Sequence, residues 1–112
     1  MSFDLAFWVE EPTPVGSAAA ETYDRLVDGE LNVVGAHVAV GKFFDEVVST
    51  FPNRPAENPD SSPWASPIYK TEECVIVTIS GSRSADVAPV LCRMASLQGL
   101  ITFDPQSGEV MT

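Results

Sequence analysis

The residues able to do chemistry are few. One histidine, His37, and two cysteines, Cys74 and Cys92, are the candidates for a base and a nucleophile, and such a pair need be adjacent only in space. Neither cysteine suits the role. Cys74 lies in an apolar strand-like run and Cys92 in a helix-like one, no Asn or Asp is placed to orient the imidazole, and no helix start presents a thiol for activation. Their separation of 18 residues fits no CxxC redox or zinc pattern, so they read as free, small apolar side chains, with a disulfide left open. The acidic pairs Glu10/Glu11, Asp45/Glu46 and Glu72/Glu73 are neighbours in sequence, and neighbours point apart on a helix or strand. They read as solvated charge and not as a metal site or an acid/base dyad. Gly35 and Gly41 lack the spacing and the Lys-Ser ending of a phosphate loop. The serine-rich run from Ser80 to Ser84 reads as a capping turn, with an anion nest as the alternative. The expectation is a protein with no catalytic residue, no metal and no cofactor: a binding protein and not an enzyme.

Composition points the same way. Of 112 residues, 45% are hydrophobic and 20% charged, the balance of one globular domain over residues 1–112. A chain of this length buries roughly two-thirds of the surface its unfolded form exposes, enough for one core. Sixteen acidic residues against six basic ones give a net charge of -10, and the acids are spread over both halves of the chain. Such a field repels nucleic acid and anionic membranes and steers the domain toward a basic protein partner. The opening MSFDLAFWVEE lacks the basic start and long apolar stretch of a signal peptide. No later run approaches the roughly 18 to 20 apolar residues of a membrane span, so the expected address is cytoplasmic.

The elements that must position any site follow from periodicity. Phe3, Leu5, Phe7 and Val9 alternate with Asp4, Ala6, Trp8 and Glu10 in a first strand, which Pro12 and Pro14 stop. A first helix is predicted from Gly16-Ser17 to about Val27, with Gly29 past its end. A second runs from about Ala36 to Phe51, where Val40, Phe43, Phe44, Val47, Val48 and Phe51 recur at three- and four-residue steps before Pro52. Residues 53 to 67 hold four prolines and read as a long surface loop pinned by Trp64. Ile68 to Lys70 reads as a short strand and Cys74 to Ser80 as the most apolar, central one. A third helix ends at Gln98 before Gly99, capped by Ser84 or Asp86. Pro89 favours Asp86, because proline is tolerated only in the first helical turn. Leu100 to Asp104 is a last strand, followed by a turn at 105 to 108 and a short tail, Glu109 to Thr112.

This order predicts an α+β, ferredoxin-like two-layer sandwich: a four-stranded, largely antiparallel sheet with three helices on one face and the first and third strands central. The predicted core sets Phe3, Leu5, Phe7, Val75, Val77, Ile79, Ile101 and Phe103 against Tyr23, Leu26, Phe44, Val47, Phe51, Val87, Leu91 and Met94. The open face would then carry Asp4, Ala6, Trp8, Glu10, Ile76, Thr78, Leu100, Thr102 and Asp104. One tryptophan among acids is no RNA platform. It is a protein-contact surface, with Trp8 and Ile76 as anchors and Glu10, Glu11 and Asp104 as the steering rim. Asp60 and Trp64 of the long loop form a second candidate surface. The alternative cover for Trp8 is the tail from Glu109 to Thr112 or a second copy of the chain, so a homodimer stays open.

The two ends, from Phe3-Asp4-Leu5-Ala6-Phe7-Trp8 and Gly99-Leu100-Ile101-Thr102-Phe103-Asp104-Pro105-Gln106-Ser107-Gly108, carry recognisable motifs, with Ser62-Pro63-Trp64 and Ser82-Arg83-Ser84 between them. Together they resemble a group of small uncharacterised bacterial proteins common in actinobacteria. The similarity covers most of the chain, and the stretch from Asn32 to Gly41 departs from it. Related small proteins often lie beside secreted polymorphic toxins, so the resemblance implies an immunity protein that binds and blocks a cognate toxin. It brings no catalytic residue with it. A ferredoxin-like dimer that encloses a small ligand, or acts as a small enzyme, between two open sheet faces is the alternative.

Overall fold

In the computed structural model, which describes residues 2–52 and 62–112, alternation along the first strand holds, but both of its faces are covered. β1 (Ser2–Trp8) pairs antiparallel with β3 (Cys74–Ser80), with Leu5 opposite Val77, Phe7 opposite Val75 and Trp8 opposite Cys74. On its other side β1 pairs with β4 (Ile101–Asp104), Ala6 opposite Phe103 and Trp8 opposite Ile101. β2 (Tyr69–Lys70) flanks β3, and β5 (Glu109–Met111) flanks β4, giving an all-antiparallel sheet in the order β2-β3-β1-β4-β5. The sheet thus has five strands and not four. The expected tail folds back as β5 through the turn at 105 to 108, where Gly108 takes a left-handed φ of 75°.

Three helices, α1 (Gly16–Val27), α2 (Val38–Thr50) and α3 (Ser84–Gln98), lie within two residues of their expected bounds, but they are not all on one face. α2 and α3 cover one side, where Leu5, Phe7, Val75, Val77 and Ile79 meet Val40, Phe43, Val47, Val87 and Leu91. The rings of Phe7 and Phe43 approach to 4.7 Å. α1 covers the other side, where Ala6, Trp8, Cys74, Ile76, Ile101 and Phe103 meet Ala19 and Leu26. Tyr23 of α1 lies over Phe103, their centroids 5.4 Å apart. Tyr23, Leu26, Ile101 and Phe103 therefore belong to this second cluster, and Leu100 to the first. The face expected to be open is closed.

Local chemistry accounts for the element ends. His37 caps α2, its Nδ1 accepting from the Ala39 N–H at 3.0 Å, which moves the start two residues past Ala36. A 3-10 turn at Gly81–Arg83 runs directly into α3, with the Ser84 hydroxyl donating to the Gly81 carbonyl at 3.0 Å, so neither Ser84 nor Asp86 is the cap. Pro89 then sits inside the helix on an exposed face, where water can serve the carbonyl that its missing N–H leaves free. Gly99, at φ 84°, stops α3 as expected. Gly16 opens α1 against the β4–β5 turn, and a Cβ there would collide with the Gly108 carbonyl.

Candidate partner-binding surface

Trp8 is wholly buried, so it cannot be an exposed anchor. A two-sided sheet defeats the inference from alternation: the polar-looking side of β1 faces α1 instead of water. The indole N–H of Trp8 donates to Glu10 Oε1 at 2.8 Å, so the ring fixes the position of that carboxylate. Ile76 is buried in the same cluster. Asp104 is half-buried and serves its own turn: its Oδ1 accepts from the Gln106 N–H at 2.9 Å and from the Ser107 N–H at 3.4 Å. Trp64 is buried, donating its indole N–H to the Phe51 carbonyl at 3.1 Å and meeting the Phe51 ring edge-on. It pins the loop end to β3, where Ser80 N–H donates to the Pro63 carbonyl at 2.7 Å. Asp60 lies outside the described residues.

Of the expected partner residues, Glu10 and Glu11 remain at the surface, half-buried and exposed respectively. They line a cavity of about 200 Å³ with Thr13, Thr112 and the Ser96–Gly99 end of α3. Its two carboxylates, and a helix C-terminus with no basic residue in its last turn, make this corner negative, beside the apolar Leu100 and Ile101. From this corner the acidity continues along α1. Between residues 10 and 30 the chain carries Glu10, Glu11, Glu21, Asp24, Asp28 and Glu30 against one base, Arg25, which is engaged with Glu30 at 3.3 Å. Burial, followed by the nearby Asp4 and Asp24 carboxylates, pushes the Tyr23 hydroxyl above its ordinary range. Exposed Val27 and Leu31 supply apolar contact at the end of this acidic run.

The reactive residues are not brought together. Cys74 belongs to the α1-side cluster and Cys92 packs against the α2/α3-side cluster, so the sheet separates two free thiols. Burial pushes both thiols up, against hydrogen bonds with the Thr71 and Thr102 hydroxyls, and Glu73 and Asp104 push them further. That is the opposite of activation. The His37 ring is used as a cap, and it lines an open depression of about 410 Å³ with Lys70 and Glu72. Among the described residues no group of three or more His, Cys, Asp or Glu is placed to hold a metal ion, and no helix is long and apolar enough to cross a membrane.

Two polar devices escaped the sequence reading. The Gln106 side chain lies along β1, accepting from the Asp4 N–H at 2.6 Å and donating to the Asp4 carbonyl at 2.8 Å, so it extends the sheet by one residue's worth of pairing. The second is Glu73, expected with Glu72 to be solvated charge; instead its buried carboxylate accepts backbone N–H groups from Asn32, Val34 and Gly35 at 2.8 to 2.9 Å. Burial would raise its pKa, but these hydrogen bonds together outweigh it and hold the carboxyl below the usual range. No family model matches the chain, and no curated protein or solved structure matches it either.

Proposed function

We propose that this chain is a non-catalytic protein-binding domain that captures a basic partner on its α1 side, and that it acts in the cytoplasm as an immunity protein against a cognate toxin. The observation that carries the proposal is the segregation of charge. Four acids, Glu21, Asp24, Asp28 and Glu30, and one engaged base, Arg25, occupy α1 and the turn after it, whereas Asp45, Glu46 and Asp86 on α2 and α3 are offset by Lys42, Arg83 and Arg93. A field concentrated on one side orients a basic partner during approach and raises its association rate. Val27 and Leu31, 47% and 76% exposed, give that partner apolar contact inside an acidic rim.

We also read β1, α2, β2, β3, α3 and β4 as a ferredoxin-like unit, supported by the sheet order β2-β3-β1-β4, with α1 and β5 as additions. Under this reading α1 occupies the face through which such units would pair around a ligand. That disfavours the small-ligand dimer.

Affinity capture from the native host tests the proposal. The immobilised chain should retain a basic protein at low salt, and a Glu21→Lys, Asp24→Lys, Asp28→Lys variant should not. Co-expression with the chain should then suppress the toxicity of the captured protein. Retention indifferent to the lysine substitutions, or toxicity unaffected by the chain, would count against it.

A further inference from the structure

Between α1 and α2 the chain runs without regular structure from residue 28 to residue 37. This strap is held at three places, one of them its end, where the His37 N–H donates to the Glu72 carbonyl at 3.2 Å. Val33 and Val34 are half-buried against the cluster that holds Trp8, Cys74 and Ile76. The Glu73 carboxylate makes the third contact: Oε2 accepts from the Asn32 N–H at 2.8 Å, and Oε1 accepts from those of Val34 and Gly35, both at 2.9 Å. Leu31, Asn32, Gly35 and Ala36 are exposed.

The backbone of the strap has room to move at its glycines. Gly29 and Gly35 take φ of 80° and 83°, and neither has any atom within 4 Å of where a Cβ would be. Asn32 between them, at φ 59°, is the only non-glycine residue with positive φ among those described. A segment with two half-buried apolar side chains and no ladder opens at far lower free energy than the sheet beneath it. Apart from the His37 bond at its end, the polar resistance to opening is concentrated on one side chain, because three charge-assisted hydrogen bonds end on a single carboxylate. Losing that charge weakens all three at once.

We propose that residues 28 to 37 form a strap latched by the Glu73 carboxylate, which opens as a unit and uncovers the Trp8, Cys74 and Ile76 side of the sheet while the α2/α3 side stays packed. The closed molecule hides an apolar patch; the open one presents it. Cys74, next to the latch in the chain and wholly buried when the strap is closed, is a built-in reporter.

Site-resolved thiol labelling of the full chain, read by mass spectrometry alongside amide exchange, tests the latch. In Glu73→Gln, labelling of Cys74 should accelerate by about tenfold or more, matching faster exchange of the Asn32, Val34 and Gly35 amides, while the Leu5 and Phe7 amides stay as protected as in the wild type. Acceleration of all these sites together, or an unchanged Cys74 rate in a folded variant, would overturn the proposal. The wild type gives an independent reading should Glu73→Gln fail to fold. Under low denaturant, Cys74 labelling and Gly35 exchange should depend on denaturant far less steeply than Leu5 exchange, and equal steepness would show that Cys74 is reached only by global unfolding.

Discussion

The two faces of the sheet are built differently. On one, two amphipathic helices set Val40, Phe43, Val47, Val87 and Leu91 against five strand residues, and the charges on those helices nearly cancel. On the other, one helix with only Ala19 and Leu26 fully buried is helped by the strap and by Val110 of β5, and the acids of its outer side, Glu21 and Asp24, continue in Asp28 and Glu30 beyond its end. The difference separates two tasks. The α2/α3 side holds the fold, and the α1 side can carry charge and move because less of the core depends on it.

Substitutions can break or sharpen that contrast. Phe43→Ala, at a ring with no exposed surface on the α2/α3 side, should cost about 3–5 kcal/mol of stability, read as a shift in urea midpoint. Tyr23→Ala on α1, only half-buried, should cost clearly less; equal losses would remove the asymmetry. Gly16→Ala should cost about 1–3 kcal/mol, because the new Cβ meets the Gly108 backbone carbonyl and α1 must shift.

Acid should act on the α1 side first. The folded-state pKa of Glu73 is lowered, so its contribution is present above the unfolded carboxyl value of about 4.3 and is lost as pH falls through the folded value. Urea midpoints at descending pH should show the wild type losing more stability across that window than Glu73→Gln does. The smallest effect belongs to Gln106→Ala. It removes an exposed pair of hydrogen bonds to Asp4 and should cost about 1 kcal/mol, with faster exchange at the Asp4 amide.

The same contrast explains how much was legible in the sequence. α2 and α3 show broad apolar stripes, and the paired faces of β1 and β3 follow from alternation. β4 alternates, Ile101 and Phe103 against Thr102 and Asp104, but its apolar side lies under α1 and not under α2 and α3, and a sheet covered on both sides leaves that choice of face unreadable from alternation. α1 has a stripe of Ala19, Tyr23 and Leu26, but a stripe does not say which side of a sheet it will cover. β5, at three residues, is shorter than a periodicity can reveal. The site suffered from the same fault. Trp8 and Ile76 were assigned to water because a one-sided sheet was assumed, whereas Glu10 and Glu11, beyond the end of β1, did not depend on it.

Association kinetics measure the central claim directly. The captured partner would be mixed with the wild type, with the Glu21→Lys, Asp24→Lys, Asp28→Lys variant of α1, and with Asp45→Lys on α2, each at two ionic strengths. The α1 variant should associate about tenfold or more slowly and lose most of its salt dependence, while Asp45→Lys should associate within about twofold of the wild type. An association rate that ignores salt, or that falls as far with Asp45→Lys as with the α1 substitutions, would contradict capture through the acidic α1 side.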